Sequence, residues 1–506
     1  MLQLHTPEQA AQWLQSQVTG TLRTDSRKLQ PGDGFLAWPG AAVDARAHVA
    51  AALAAGAAAC LVEHSGVEAF AFDDAHVATY LGLKAASGPL ASAYFGEPSQ
   101  ALRLLAVTGT NGKTSSAWWL AQALSNLHHP APMPCGVVGT LGMGMPPNVV
   151  STGLTTPDPV ALQAALAGFV KQGVQACAIE ASSIGIEEHR LDGTLIHTAL
   201  LTNLTQDHLD YHGSMESYWQ AKTRLFAWPG LRAAVINVDD PYGVALAQGL
   251  EERVPQGALD IWTVSMQAGP GNRARLQAQA VDYSQGGARF HLVEGAQSVP
   301  LATQLMGDYN VSNVLGVIAA MRTLGVSLVD AAQACAALTP VPGRMECVNV
   351  PGQPLVAVDY AHTPDALAKA LEALRPVAAQ RGGKLWCVFG CGGDRDTRKR
   401  PLMGAAASSH AERIVVTSDN PRSEAPDAII SQILLGLIGV PGVMVEPDRA
   451  RAIAQALAQA AATDVVLVAG KGHEDYQEVA GQRLPFSDMT QVRQALAQRL
   501  GSGVPS

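Results

Sequence analysis

Ala106-Val107-Thr108-Gly109-Thr110-Asn111-Gly112-Lys113-Thr114-Ser115 lies between a strand-like run, Arg103 to Val107, and a helix-like run, Ser115 to Leu127. A glycine loop in that setting lets backbone N–H groups close around phosphates, and the helix N-terminus adds positive potential. In such a loop Lys113 reaches the β- and γ-phosphates, and the Thr114 hydroxyl sits on Mg²⁺. The general pattern has a glycine five positions before Gly112, where this chain has Val107. The loop is therefore a shortened variant, Gly109 to Thr114. The strand–loop–helix context argues against a chance glycine-rich turn.

Working outward, the 506 residues suggest about three domains. Hydrophobic residues make up 48% and charged ones 15%, the balance of a globular chain. The net charge of −9 argues against a general nucleic-acid or membrane-surface binder, so an anionic ligand needs local basic pockets. The seven cysteines form no Cys-x-x-Cys pair and mostly lie in apolar runs. They read as buried free thiols of a reducing compartment. The opening residues Met1 to His5 lack a basic segment and an apolar core, and Val49 to Val62 is too short to span a bilayer. A cytoplasmic location is expected, with no nucleic-acid or membrane partner.

The first hundred residues alternate helix and strand patterns: a capped helix Pro7 to Gln17 after Thr6, a loop at Asp25-Ser26-Arg27, a strand Gly34 to Trp38, an alanine-rich helix over 45–59, and the apolar Cys60 to Glu63. Gly96 to Ser99 breaks the pattern. The next stretch has short apolar strands at Ala176–Glu180, Ala199–Asn203 and Ala233–Asn237 with helical segments between, the pattern of a mostly parallel sheet. Residues 275–301 alternate in period two around Gly286-Gly287, which predicts an antiparallel hairpin at the sheet margin. Helices are expected over Met306–Leu324 and Ser327–Ala337. After Pro340 to Arg344, four strands recur at Leu355–Val358, Leu385–Phe389, Ile414–Thr417 and Val465–Val468. Ligands of open α/β sheets bind at the carboxyl ends of strands, so the loops 359–364, 390–400, 418–424 and 469–476 should line one site.

Glu180 ends an apolar strand, where a carboxylate can hold Mg²⁺ directly or through water. A cap of the next helix is a serious competitor to that role for Ser182, two residues on, and a weaker one for Glu180. Asn203 to His212 crowds polar and ionisable groups at a strand end, which points to a metal or phosphate role for His208 beside Asp207 and Asp210. Lys222 lies in an amphipathic helix, and spacing alone favours a solvated lysine. The basic turn Arg398 to Arg400 reads as solvated too.

These residues resemble the Mur ligases, ATP-dependent amide-forming enzymes of peptidoglycan synthesis. The matching segments are Thr108–Thr114, Thr155–Pro157, Glu180–Ser183, Asp207–Gly213, Lys222, Gly307–Asn313, Gly343–Glu346 and Asp359–Asp365. Three further motifs, Gly390–Asp396, Asp419-Asn420-Pro421-Arg422 and Gly470–Asp475, look like the family branch that adds meso-diaminopimelate to UDP-N-acetylmuramoyl-L-alanyl-D-glutamate. The resemblance implies an α/β fold in three domains. Residues 1–98 would form a small N-terminal UDP-sugar-binding domain, 99–338 a central P-loop, parallel-sheet ATPase domain, and 339–506 a Rossmann-like, amino-acid-binding domain.

It also implies residue roles. Lys113, Glu180, His208 and Lys222 would be catalytic. Gly109 to Ser115 would bind ATP, with Asn310 and Asp359 at adenine or ribose. Thr114, Glu180, His208 and Lys222 would hold Mg²⁺, the lysine as a carbamate made with CO₂. Ser26, Thr155, Thr156, Ser182, Glu188 and Arg190 would bind the UDP-N-acetylmuramoyl dipeptide. Arg395, Asp419, Asn420, Pro421, Arg422, Gly470 and Glu474 would bind diaminopimelate. Meso-diaminopimelate carries a distal carboxylate that lysine lacks, and a guanidinium such as Arg422 can grip it through two parallel hydrogen bonds. Glu474 and the Gly470 carbonyl could take the distal ammonium. The chain departs from common family residues at Gly40-Ala41-Ala42-Val43 near the uracil, and at Leu154, Ile184 and Glu188. A monomer is expected. Folylpolyglutamate synthase shares the ATP core but not the last motifs; a P-loop switch would use ATP without joining substrates. A catalytically silent paralogue is disfavoured by the intact Lys113, Glu180, His208 and Lys222.

Overall fold

The P-loop strand Arg103–Thr108 runs through the interior of an eleven-stranded sheet, a position that explains its unbroken apolar run. It pairs in parallel with Ala176–Glu180 on one side and Ile196–Leu201 on the other. Parallel pairing continues outward through Ala233–Asn237 and Asp260–Ser265, and on the other flank to Cys135–Gly139. The computed structural model describes residues 1–40, 43–255, 257–267, 274–283 and 287–501. Ala41 and Ala42 of the uracil loop, and Gly286 of the expected hairpin turn, lie outside the described residues.

Three α/β units follow one another, each built on its own sheet. The first has a wholly parallel five-stranded sheet, ordered Leu2–Leu4, Val77–Tyr80, Ala59–Glu63, Gly34–Ala37, Leu22–Arg23. Its helix Pro7–Gln17 starts where Thr6 accepts the Gln9 N–H, a side-chain cap next to a proline in the first turn. The alanine-rich stretch does not form one helix. A 3₁₀ turn Ala45–His48 leads into a short helix Val49–Ala54, and Ala59 already pairs with Gly34. Alanine's helix propensity is weak against burial of a central parallel strand.

In the central unit the strand expected at Ala199–Asn203 ends at Leu201. Thr202 and Asn203 leave the ladder because their side chains hold the P-loop: both donate to the Asn111 carbonyl, at 2.6 and 3.1 Å, and Asn203 Oδ1 accepts the Asn111 N–H. The margin at 275–301 is antiparallel as expected, and carries three strands, Leu276–Asp282, Arg289–Glu294 and Gln297–Ala302. Helix Asp308–Thr323 packs one face of this sheet, its residues Val311 to Met321 almost all buried.

The third unit has a six-stranded sheet ordered Glu346–Val348, Leu355–Asp359, Val465–Ala469, Leu385–Phe389, Arg413–Val416, Met444–Val445, parallel except for the first pair. This order sets the loop after Ala469 between those after Asp359 and Phe389. Six of the seven cysteines are buried, Cys347 is exposed, and all seven are free thiols. No helix among the described residues is long and apolar enough to cross a membrane.

Candidate active site

The site begins with the shape of the shortened loop. Gly112 has φ 88° at the entry to helix Lys113–Ser125, and a Cβ there would meet Asn313 Oδ1 at 2.4 Å. Lys113 curls back over the loop, its Nζ donating to the Gly109 and Thr110 carbonyls at 2.9 Å each. Burial holds its pKa below the ordinary lysine value, against the pull of Glu180 and Asp207.

Glu180 stands at the end of the neighbouring strand, opposite Val107 and only 1% exposed. Its carboxylate accepts the Thr114 hydroxyl at 2.9 Å, the Thr140 N–H at 2.8 Å and the Thr140 hydroxyl at 3.2 Å. Space for it comes from Gly139, where a Cβ would sit 2.2 Å from Glu180 Oε1. Gly139→Ala should therefore push the carboxylate off the P-loop and lower kcat by roughly 10²-fold, the usual cost of an ångström-scale misplacement. Gly136→Ala on the same strand meets the Phe169 ring at 2.7 Å instead. It should cost stability while sparing kcat; equal kcat losses in the two variants would contradict this account.

Lys222 is not solvated. It is 1% exposed, lies 4.5 Å over the Tyr218 ring, and donates to the Gly109 carbonyl at 2.8 Å. Helix Met215–Thr223 turns this face inward because Tyr218, also buried, reaches Thr110 Oγ1 at 3.1 Å. Burial, reinforced by the Lys113 charge, pushes the Lys222 pKa well below the usual value.

His208 adopts φ 53°, and its Nε2 lies 3.5 Å from Asp207. Burial lowers its pKa. Burial alone would raise the Asp207 carboxyl, but His208, His362 and Lys399 bring it down to about 2. Asp210 is exposed. No cluster of three or more His, Cys, Asp or Glu able to hold a metal occurs among the described residues. The oxygen pair Thr114–Glu180 is thus the part of the expected metal set that the fold brings together.

Around Glu180 the structure gathers Thr155, Thr156, Ser182 and Arg190. Thr155 bonds Thr140 at 3.0 Å; Thr156 donates to the Glu180 carbonyl at 2.7 Å and lies 3.0 Å from Ser182. Ser182 caps helix Ser183–Glu187, its hydroxyl accepting the Gly185 N–H at 3.0 Å. Arg190 donates to the Thr156 carbonyl at 3.0 Å. Glu188 is otherwise engaged: one oxygen accepts the Tyr211 hydroxyl at 2.8 Å, and the other pairs with Lys84 of the first unit at 2.6 Å. Ser26 opens a 3₁₀ turn, Ser26–Lys28, and shares no hydrogen bond with this cluster among the described residues.

A cleft lies between the P-loop and the third unit, lined among others by Asn111, Ser115, Asn310, Asn313, Arg344 and Asp359. Contacts between the two units cross it, His362 with Asp207 at 3.9 Å among them. Arg344 donates to Thr114 Oγ1 at 3.0 Å with its guanidinium 4.4 Å over the Tyr360 ring, and Asn111 donates to Asp365 at 3.1 Å. No role for Arg344 or Asp365 was legible in the sequence. Both stood in motifs, but their partners lie more than two hundred residues away. Asn310 donates to the Met306 carbonyl, while Asp359, its pKa raised by burial, accepts the Met345 N–H.

The four C-terminal loops meet in a second cluster. Asn420 donates to Glu474 at 2.8 Å, Tyr360 reaches Glu474 at 3.5 Å, and Arg422, at φ 53°, donates to the Gly393 carbonyl at 2.6 Å. Asp419 receives the Asn420 N–H, and Gly470 leaves it room: a Cβ there would lie 2.4 Å from Asp419 Oδ2. The Pro421 carbonyl closes a turn with Glu424. Arg395 is exposed. Arg400 corrects the expectation of a solvated basic turn. It is fully buried, grips Glu424 through two hydrogen bonds of 2.8 and 2.7 Å, and donates to the Gly392 carbonyl. A bidentate carboxylate allows a guanidinium to be buried that far.

Comparison with known proteins agrees with this geometry. The Mur ligase middle domain matches residues 107–321, and the Mur ligase glutamate ligase domain matches 343–472. A UDP-N-acetylmuramoyl-L-alanyl-D-glutamate--2,6-diaminopimelate ligase of Acidovorax sp. (strain JS42) is 64% identical, over 98% of both chains. One of the same name from Janthinobacterium sp. (strain Marseille) is 47% identical over 95% of both. A solved structure of a ligase of that name is 37% identical, covers 95% of each chain and superposes with a TM-score of 0.64. With its P-loop, its buried lysine and its cleft closed by Arg344, the chain belongs to the Mur ligase family.

Proposed function

We propose that this chain is an ADP-forming ligase that joins meso-diaminopimelate to the D-glutamate γ-carboxyl of UDP-N-acetylmuramoyl-L-alanyl-D-glutamate, as a cytoplasmic monomer. The observation that carries the reading is the contact of Arg344 with Thr114, which ties the amine-side unit to the phosphate loop. The Asp419–Arg422 motif and the names of the relatives supply the amine. Residues 1–98 would take the UDP-sugar with Ser26, 99–338 the ATP and dipeptide, and 339–506 the diaminopimelate.

ATP would lie in the cleft with its phosphates on Gly109 to Ser115 and its nucleoside toward Asn310 and Asp359. Lys113 and Arg344 face the terminal phosphate and offset the charge that develops there. An oxygen of the substrate γ-carboxylate attacks the γ-phosphorus, the bond to the bridging oxygen breaks, and ADP leaves. The diaminopimelate amine then attacks the acyl carbon and loses a proton, and the C–O bond to phosphate breaks. Thr155, Thr156, Ser182 and Arg190 would position the dipeptide beside Glu180, with Glu188 holding the first unit through Lys84.

The hard oxygens of Thr114 and Glu180 fit Mg²⁺, which when bound would neutralise phosphate charge; His208 and a carbamate on Lys222 would complete its holders. The carbamate needs a neutral amine, whose lone pair attacks CO₂ as the nitrogen releases a proton. The buried, cation-flanked position of Lys222 supports that neutrality.

Phosphate release tests the reading. It should require ATP, the nucleotide dipeptide and diaminopimelate together, with little turnover on lysine. Equal turnover with lysine would remove the claimed selectivity, and release without any amine would point to a switch rather than a ligase.

A further inference from the structure

Lys471 has a fully buried ammonium. Its Nζ donates to Glu474 Oε2 at 2.8 Å and to Asn420 Oδ1 at 2.9 Å, and it lies 5.5 Å over the Tyr476 ring. A charge removed that far from water is tolerated only with partners. Those partners are two residues assigned above to the amine substrate.

The hydrogen-bond chemistry then leaves little freedom. An ammonium and a backbone N–H only donate, so Lys471 and the Glu478 N–H, at 3.0 Å, must both face the Asn420 carbonyl oxygen. That orients Asn420 Nδ2 toward Glu474 Oε2, at 2.8 Å. Glu474 Oε2 thus receives two donors. Its Oε1 has, among the described residues, one long contact, the Tyr360 hydroxyl at 3.5 Å. The second Asn420 N–H and Glu474 Oε1 remain as an adjacent donor and acceptor. That pair matches the carboxylate and ammonium at the distal centre of diaminopimelate; lysine offers the ammonium alone.

We propose that Lys471 is a positioning residue for the amine substrate: it occupies one oxygen of Glu474 and locks the Asn420 amide, so that the substrate meets one preset acceptor and one preset donor. This rests on the function proposed above. Removing the cation leaves the amide oxygen held by the Glu478 N–H alone and lets the carboxylate swing, which raises the ordering needed on binding.

The test is a KM-against-kcat comparison on the full-length enzyme. Lys471→Met should raise the KM for diaminopimelate at least about tenfold, while the KM values for ATP and the nucleotide dipeptide stay within about twofold. A merely structural lysine would lower thermal stability and active fraction without that selective KM change, and this result would overturn the role. If Lys471→Met does not fold, Lys471→Met/Glu474→Gln, which buries no unpaired charge, is compared with Glu474→Gln. The double variant should still have the higher KM for diaminopimelate, because Lys471→Met also unlocks Asn420; one KM shared by the two overturns the proposal. Wild-type turnover with diaminopimelate is measured first. Its absence defeats the function itself and the positioning role with it, whereas wild-type turnover with unchanged variant KM values defeats the role of Lys471 alone.

Discussion

Lys222→Ala should lower phosphate release by about 10²–10³-fold, the scale of losing one preorganised charge at a phosphoryl-transfer site. The fold should survive. Among the described residues Lys222 makes one hydrogen bond, to the Gly109 carbonyl, which also accepts from Lys113. Two accounts of the lysine then separate. If a carbamate does the work, the alanine variant leaves a cavity that a short carboxylic acid can enter, and acetate or propionate should restore part of the rate. If the ammonium itself served, a carboxylate would do nothing and a small alkylamine would rescue. Full activity in the variant would take Lys222 out of the site. Thermal unfolding of both proteins in the same buffer excludes trivial loss of fold.

The second large effect concerns stability. Arg449 and Asp488 are both fully buried and joined by two hydrogen bonds of 2.7 Å. Arg449 also donates to the carbonyls of Ser418 and Ala469, the residues just before Asp419 and Gly470. Asp488→Ala strands a guanidinium in the core and should cost about 3–5 kcal/mol, because the lost partner leaves the burial of the charge uncompensated. For a unit of this size that is a fall in Tm of roughly 10 °C. Replacing both partners, Arg449→Met with Asp488→Leu, should recover most of the loss, since well-packed apolar groups need no partner. A single-variant cost below about 1 kcal/mol would mean that water reaches the pair. Because Arg449 steadies both strand ends, the double variant should still bind diaminopimelate more weakly.

The parts of the molecule that were legible in sequence are those governed by local rules. The helix Pro7–Gln17 carries its own cap in Thr6 and its own first-turn proline, and it forms with those ends. Strands Ala176–Glu180, Ala233–Asn237 and Leu385–Phe389 are short apolar runs, the first two with polar ends and the third followed by Gly390, and they appear at the expected residues. The alanine-rich segment misled because the helix ends at Ala54, just before Gly56 at φ 93°, whatever alanine's propensity, and Ala59 then pairs with Gly34. Lys222 misled for a related reason. A lysine on an amphipathic helix is normally solvated, and nothing within its own helix reports that Gly109, more than a hundred residues away, will supply a carbonyl.

The phosphate loop, the alternation that builds three mostly parallel sheets, and the motifs that mark the family are written in the chain itself, because each depends on neighbours a few positions apart. Tertiary structure alone decided which charges are buried and whom they meet. Arg344 reaches Thr114, Arg400 turns inward to Glu424, Glu188 goes to Lys84, and Lys471 orders Asn420 and Glu474. Burial of a charge is a property of everything packed around it. The loop that opens at Gly109 could therefore be read from ten residues, but the state of the lysines beside it could not.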